Sequence, residues 1–230
     1  MDSVSNVGVV DKTVAVLRAL EATGPAGLSE LQAATGLPRA TAHRLATALE
    51  QHGLVRRDAD GRFCLGLGLV ALGRAAADGF PLAELARPAL AALRDETGES
   101  VQLFVREGGG RRCVVSLQSA HGLRWIVAEG ALLPIERGSA GKVLSGMTTR
   151  AGWVESVEER EPGVASVSAP VGDGDGQVVA AVSVSGPLER LSRRPGQRFG
   201  AAVVRTAAAV GRELPLLRAA AGAPAGARRT

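Results

Sequence analysis

The stretch LPRATAHRLATALEQHGLVRRDADGRFCLG, from Leu37 to Gly66, decides how the first part of this chain folds. Its second residue is Pro38; proline is favoured in the first turn of a helix, and helix-forming residues follow. At about 100° per residue the apolar positions form one stripe that predicts a core-facing side, and these positions are Ala42, Leu45, Ala46 and Leu49. The exposed face is small and cationic, and it carries Arg39, Ala40, His43, Arg44 and Thr47.

Two further helices are predicted upstream. The segment VVDKTVAVLRALEA, residues 9–22, has helical spacing with a wide apolar face, and LSELQAATG, residues 28–36, forms a short helix. We expect Ser29 as its N-cap, with Gln32 completing a capping box and Leu28 as the hydrophobic staple. Gly36 suits a left-handed C-cap. Two helices joined by a short turn that contains glycine indicate a helix-turn-helix.

A β-hairpin is predicted directly after this motif. Strand-like residues flank Asp60-Gly61, a strong turn signal, and three arginines surround the tip. Three helices and a basic hairpin make a winged helix-turn-helix, whose helix reads bases while its wing contacts phosphate or the minor groove. We therefore predict contacts with double-stranded DNA from Arg39, Ala40, Thr41, His43, Arg44, Thr47, Arg56, Arg57 and Arg62.

The rest of the chain predicts a second, α+β domain. A helix with apolar residues at Leu82, Leu85, Ala89 and Leu93 ends at Gly98. Strand-like runs follow at 100–105, 112–119, 123–130, 164–171 and 177–186, with further helices in SAGKVLSG and RFGAAVVRTAAAVGREL. We expect a DNA-binding domain over 1–65, a linker helix over 66–80, the second domain over 81–215 and a flexible tail over 216–230.

Composition limits the class of protein. The 230 residues are 46% hydrophobic and 22% charged, which is typical of globular proteins. No apolar run reaches the ~20 residues that cross a bilayer, and no signal peptide is evident, so we expect a cytoplasmic protein. Cys64 and Cys113 make no disulfide framework, and the cysteines and histidines lack zinc spacing, so neither a metal nor a cofactor is expected. Aromatic residues are too scarce, at 3%, for single-strand stacking platforms.

Several motifs resemble the IclR family of bacterial transcription regulators: VDKTVAVLRAL, the segment from LSELQ to RFCLG, GESVQLFV, and VASVSAPVGDGDGQVVAAVSVSGPLERL. The resemblance extends from Val9 to Leu214 and is strongest to NdgR-type regulators, which are associated with amino-acid biosynthesis. It implies a GAF-like effector-binding domain and a homodimer or dimer of dimers. Binding of an effector would then alter affinity for a DNA operator.

The same resemblance implies an effector pocket. Ser139 and Ala140 would border it at the start of a helix, Trp125 and Leu133 would form an apolar wall, and the ligand would accept or donate hydrogen bonds at Ser166, Ser183 and Ser185. Backbone N–H groups at a helix start together with three hydroxyls favour a small carboxylate, and the NdgR-type resemblance implies an amino acid as an alternative effector. One departure stands out, because MTTRA nearly replaces a longer family segment between SAGKVLSG and GWVES.

Two alternatives to a ligand-responsive regulator remain open. Loss of the longer segment is compatible with a second domain that only oligomerises. An enzyme needs a nucleophile with an activating base, and the sequence shows neither a G-x-S-x-G elbow nor a histidine beyond residue 52 other than His121. We therefore expect no catalytic residues.

Overall fold

The computed structural model describes residues 8–79, 81–173 and 175–221, and it divides the chain into two compact units between residues 80 and 81. The first unit comprises α1 (Gly8–Thr23), α2 (Leu28–Thr35), α3 (Arg39–Gln51), β1 (Val55–Arg57), β2 (Phe63–Leu65) and α4 (Gly68–Asp78). The second comprises α5 (Leu82–Thr97), β3 (Ser100–Glu107), β4 (Gly110–Leu117), β5 (Leu132–Pro134), α6 (Ser139–Leu144), β6 (Val154–Val157), β7 (Val164–Gly172), β8 (Val178–Pro187), α7 (Leu188–Leu191) and α8 (Pro195–Ala221).

The first unit is a winged helix-turn-helix, as the sequence predicts. Its core joins Val16 of α1, Leu31 of α2 and Leu45 of α3 to Val55 and Phe63 of the hairpin. The predicted inner stripe of α3 is buried along its whole length. Because the stripe faces this core, the opposite side of α3 is directed to solvent.

The start of α2 differs from the sequence-based interpretation. The helix begins at Leu28, so Gly27 and not Ser29 is its N-cap. The carboxylate of Glu30, and not the Gln32 amide, accepts a hydrogen bond from the Gly27 N–H at 2.6 Å. At the other end the prediction is confirmed, since Gly36 is left-handed at φ 67° and donates its N–H to Gln32 O at 2.9 Å.

The wing is a short antiparallel hairpin in which Val55 pairs with Leu65 and Arg57 with Phe63. Its loop is longer than the tight turn predicted at Asp60-Gly61. The Asp58 carboxylate accepts the N–H groups of Asp60 at 3.1 Å and Arg62 at 2.8 Å, which orders the loop. Gly61 occupies the left-handed region there, with φ 74°.

The second unit contains a six-stranded antiparallel sheet of order β5-β4-β3-β8-β7-β6. Helices α5 and α8 cover one face and form the larger core with residues such as Val101, Val182 and Phe199. The short helix α6 lies over the other face, above a second cluster that includes Phe104 and Ala181. Because side chains alternate along strands, β3 and β8 supply residues to both layers.

The strands of this unit differ from the sequence-based expectation at two places. The run 123–130 is irregular, and the strand in this region is the shorter β5, Leu132–Pro134, which pairs with β4 on the side away from β3. Sequence reasoning missed the strand β6 at Val154–Val157. The helix α8 continues to Ala221, into the segment predicted as a flexible tail. The remainder of that tail, 222–230, lies outside the described residues.

Candidate functional site

The exposed face of α3 presents the predicted residues in the first unit. Arg39, Ala40, His43 and Arg44 are exposed, whereas Thr41 and Thr47 are half-buried. Within the part of the chain that the structure describes, neither the His43 nor the Arg44 side chain has a hydrogen bond or ion pair. The Thr47 hydroxyl is buried and has no hydrogen-bond partner among the described residues, so it points away from the accessible surface. On this face, therefore, the imidazole of His43 and the guanidinium of Arg44 are polar groups that no described residue engages.

Arg39 is partly engaged within the unit. Its Nη1 lies 3.2 Å from the Ser29 hydroxyl of α2, to which it donates. This contact joins the first turn of α3 to α2 across the turn at Gly36. It leaves the other guanidinium nitrogens of Arg39 available to a partner.

The three wing arginines differ in their contacts. Arg57 lies 4.0 Å from the centroid of the Phe63 ring, forms an ion pair with Glu50 at 3.3 Å, and donates to Gly61 O at 3.1 Å. Arg62 pairs with Glu30 of α2 at 2.9 Å. The guanidinium of Arg56 is exposed and has no such partner among the described residues. Of the three, Arg56 is the group best placed to bind phosphate.

A small cavity lies in the second unit between α6 and the sheet. The space open to the centres of water-sized molecules is about 30 Å³. Six of the seven predicted effector residues line it, namely Trp125, Ser139, Ala140, Ser166, Ser183 and Ser185, and Leu133 does not. Leu133 instead packs at the edge of the adjoining apolar cluster.

Strand register explains how distant serines meet on the cavity floor. Ser166 of β7 pairs with Ser185 of β8, and Ser168 of β7 pairs with Ser183 of β8. The Ser139 hydroxyl, at the start of α6, lies 2.7 Å from the hydroxyls of both Ser166 and Ser168. These bonds hold α6 close to the floor.

Arg111 is the most buried charged residue of the cavity, with 2% of its surface exposed. Its Nη1 donates to Pro134 O and, at 2.5 Å, to Arg137 O. Burial, and next the nearby positive charge of Arg160, lower the pKa of Arg111 to about 10. A Cβ on Gly141 would come within 2.5 Å of Arg111 Nη1 and 2.1 Å of Ile135 O, so glycine is required for this close approach.

Two buried N–H groups at the cavity have no hydrogen-bond partner among the described residues, Gln102 Nε2 and Arg111 Nε. The Gln102 oxygen is satisfied, since Ser185 donates its hydroxyl proton to Oε1 at 2.9 Å. Unpaired buried donors are costly, typically ~1–3 kcal/mol each. Both groups are therefore available to an acceptor on a ligand.

At the outer side, the Arg160 guanidinium lies 5.0 Å from the centroid of the Trp125 ring, within cation–π distance. Arg160 is half-buried, and burial lowers its pKa. Sequence reasoning missed Gln102, Arg111 and Arg160. Alternation along β3 could have placed Gln102 and Phe104 on one face, but no local pattern distinguishes either arginine.

No group of three or more His, Cys, Asp or Glu side chains within the described residues could hold a metal ion. In the same part of the chain, no helix is long and apolar enough to span a bilayer. At GDGDG the Asp173 carboxylate accepts the N–H groups of Asp175 at 3.0 Å and Gln177 at 2.9 Å, as in a hydrogen-bonded turn.

Family models match both units of the chain. The model for the IclR helix-turn-helix domain matches residues 9–59. The model for the C-terminal domain of the bacterial transcriptional regulator IclR matches in two parts, residues 74–151 and 146–212. The two parts meet at the short connection between α6 and β6.

Individual proteins agree with this match. The chain is 31% identical over 247 residues to the glycerol operon regulatory protein of Streptomyces griseus, covering 91% of this chain and 97% of that protein. It is 25% identical to the transcriptional repressor IclR of Escherichia coli K12, and the match covers 81% of this chain and 82% of that protein. The crystal structure of an IclR homologue from Microbacterium hydrocarbonoxydans, complexed with 4-hydroxybenzoate, has the same fold with a TM-score of 0.75, at 20% identity and coverage of 90% and 99%.

Proposed function

Because the chain belongs to the IclR family of transcriptional regulators, we propose that residues 1–65 bind a specific DNA operator and that a small metabolite bound within 81–215 changes the affinity for it. The family consists of DNA-binding transcriptional regulators, and the relatives are not enzymes. The observation that carries the proposal is the exposed face of α3, where His43 and Arg44 have no partner among the described residues.

Insertion of α3 into the major groove follows from its shape and charge. Ala40 allows close approach to base edges, and Arg44 can bind guanine in bidentate fashion. Arg39 contributes its remaining N–H groups, and His43 donates to a phosphate. Arg56 in the wing binds the DNA backbone, whereas Arg57 and Arg62 must first exchange Glu50 and Glu30 for phosphate.

Operator binding by paired copies is supported by exposed apolar side chains in the first unit. Val9, Val10 and Val14 of α1 are 59%, 50% and 46% exposed, and Val70 and Leu72 of α4 are 49% and 59% exposed. A single module buries only about 600–1,000 Å², so two joined modules reach operator affinity more easily. We propose a homodimer or dimer of dimers formed through these helices. Leu72→Glu should then shift the protein towards monomer in sedimentation velocity.

Ligand binding by the second unit is supported by the cavity and its unpaired donors. The Microbacterium homologue was crystallised with 4-hydroxybenzoate, which is a small carboxylate, and this favours an acid as effector here. The NdgR-type resemblance suggests control of amino-acid genes, and the Streptomyces relative makes glycerol metabolism the alternative. We propose that the protein represses transcription of its target genes, since the E. coli relative is a repressor.

A second candidate is a regulator whose second unit only oligomerises. The short connection at residues 146–151 favours it, because little chain is left there to close over a ligand. Calorimetry with small organic acids separates the two candidates: binding of an acid supports the ligand-responsive regulator, and absence of binding supports the second unit that only oligomerises.

The direct test is selection of bound sequences from a random duplex library with the full chain. Fluorescence anisotropy then compares the selected duplex with a scrambled one at physiological salt. We expect a preference of about 10³-fold or more. Equal affinity for both duplexes would refute sequence-specific binding.

A DNA-binding regulator of this kind acts on the chromosome, so we propose the bacterial cytoplasm as its location.

A further inference from the structure

All ionisable side chains lining the cavity are positively charged. The lining contains Arg111 and Arg160 and no aspartate or glutamate within the described residues. Neither arginine forms an ion pair with any carboxylate that the structure describes. Glu136 and Glu161 act in the opposite direction at longer range, raising the pKa of Arg111 and Arg160 respectively, yet burial outweighs both. Two arginines therefore share a partly desolvated space whose lining, within the described residues, carries no negatively charged side chain.

Such a pair is stabilised by negative charge and destabilised by positive charge. The guanidiniums already repel each other, since Arg160 lowers the pKa of Arg111. A monocarboxylate compensates one charge only. An amino acid would bring an ammonium group into a cavity without any lining carboxylate, which is unfavourable in a low-dielectric space.

The cavity lining offers more than one binding position. Arg111 and Gln102 both line the cavity, and Arg111 Nε and Gln102 Nε2 are buried donors without partners among the described residues, so each can donate to a carboxylate oxygen. At the outer side, Arg160 lies over Trp125 on the segment between β6 and β7. A second negative group there would contact Arg160 directly.

The size of the cavity restricts the distance between those groups. About 30 Å³ is the space open to the centres of water-sized molecules, so a molecule that fills the cavity occupies more than this volume but must still be small. Only a short carbon chain fits. A short chain with a charged group at each end satisfies both the size and the charge of the site.

We propose that the cavity selects a short-chain dicarboxylate, with one carboxylate at Arg111 and Gln102 and the other at Arg160. The proposal rests on the proposed function, because it names the ligand class of the same site. Arg160 is then the residue that determines the preference for a dianion.

The test is titration calorimetry of the full chain with matched acids. Malonate, succinate and glutarate are compared with propionate, butyrate and pentanoate, and 4-aminobutyrate serves as the zwitterion. At least one dicarboxylate should bind about tenfold tighter than its monocarboxylate partner, or about 1.4 kcal/mol. Arg160→Gln should remove most of this preference and Arg160→Lys should retain it. Arg106→Gln, at an exposed arginine outside the cavity, is the matched control and should change nothing.

Equal affinity within every acid pair, tightest binding of 4-aminobutyrate, or a preference unaffected by Arg160→Gln would overturn the inference. Absence of binding by all acids at millimolar concentration would overturn it as well. Operator binding is measured on the same samples, so these failures are distinct from failure of DNA binding. If a dicarboxylate binds as expected without changing operator affinity, the ligand class stands and the effector role fails.

Discussion

Arg62 Nη2 in the wing lies 2.9 Å from Glu30 Oε2 in α2. The same carboxylate oxygen accepts the Gly27 N–H at 2.6 Å, and this hydrogen bond is the larger cause of the lowered pKa of Glu30. Glu30 therefore stays ionised at neutral pH. It orders the start of α2 and neutralises one wing arginine that we propose to contact DNA.

Glu30→Gln should tighten DNA binding. The amide oxygen still accepts the Gly27 N–H, but Arg62 is released to bind phosphate. We expect affinity for operator and random duplex to rise together at low salt, and the salt slope to steepen by up to ~0.9 for one added phosphate contact. Anisotropy titrations over a salt series measure both quantities. Glu21→Gln removes an equal charge from an exposed pair on α1 and is the control; weaker binding by Glu30→Gln would contradict the exchange of partners.

Arg44→Ala and Arg56→Ala should have different effects. Because we propose that Arg44 contacts a base, its loss should weaken binding to the operator by about 1–3 kcal/mol, while binding to random duplex changes less. Because we propose that Arg56 contacts a phosphate, its loss should weaken binding to both duplexes alike and lower the salt slope by about 1. Arg18→Ala on α1 controls for net charge. If Arg44→Ala and Arg56→Ala changed the two affinities and the salt slope in the same way, α3 and the wing would not have the separate roles of base contact and phosphate contact.

Much of the first unit was predictable because its signals are local. The stripe through Leu45 and Leu49 has helical period, and Gly36 meets the left-handed turn that such a motif requires. The N-cap prediction failed for a physical reason. The longer carboxylate of Glu30 reaches back to the Gly27 N–H, so the helix starts earlier than predicted and Ser29 lies inside it.

The cavity was predictable only in part because its chemistry depends on packing between distant elements. Serines at alternate positions of β7 and β8 indicate one face of a sheet, which the register confirms. Arg111 is held at the cavity by hydrogen bonds to the carbonyls of Pro134 and Arg137, which lie more than twenty residues away in the sequence. The run around Trp125 alternates like a strand, but the chain there closes over the cavity instead of extending the sheet.

Glu99→Gln should destabilise the second unit. The buried carboxylate accepts two hydrogen bonds from Arg190, Nε to Oε1 at 2.6 Å and Nη2 to Oε2 at 2.8 Å. Charge-assisted bonds of this kind contribute about 1.5–3 kcal/mol, so we expect the free energy of unfolding to fall by about 2 kcal/mol. Both tryptophans, Trp125 and Trp153, lie in this unit, so their fluorescence during urea unfolding reports on it.

Glu96→Gln is the matched control for that variant. Glu96 pairs with Arg205 at 2.7 Å, but both side chains are more than half exposed. Exposed pairs contribute ~0–1 kcal/mol because water and salt screen them. If the two variants lost equal stability, burial of the Glu99 pair would have no energetic consequence.

Stability of the second unit should fall as the pH rises above about 9, and Cys113 should be a cause. Its thiol is fully buried, donates to Val115 O at 3.3 Å, and has its pKa raised to about 12, chiefly by burial and next by Glu129. Above pH 9.0, the ordinary pKa of a cysteine thiol, the unfolded chain loses the thiol proton while the folded chain keeps it, so proton release favours unfolding. The contribution is at most about 1.4 kcal/mol per pH unit.

Urea unfolding of wild type and Cys113→Ala between pH 8 and 10 measures this effect by tryptophan fluorescence. The chain has no tyrosine, so phenol ionisation does not interfere. The range stops at pH 10 because Arg111, with a pKa lowered to about 10, contributes the opposite sign beyond it: the folded chain then releases a proton that the unfolded chain retains. The stability advantage of wild type over Cys113→Ala should shrink above pH 9. Parallel curves for the two proteins would mean that the buried thiol ionises as readily in the folded chain as in the unfolded one.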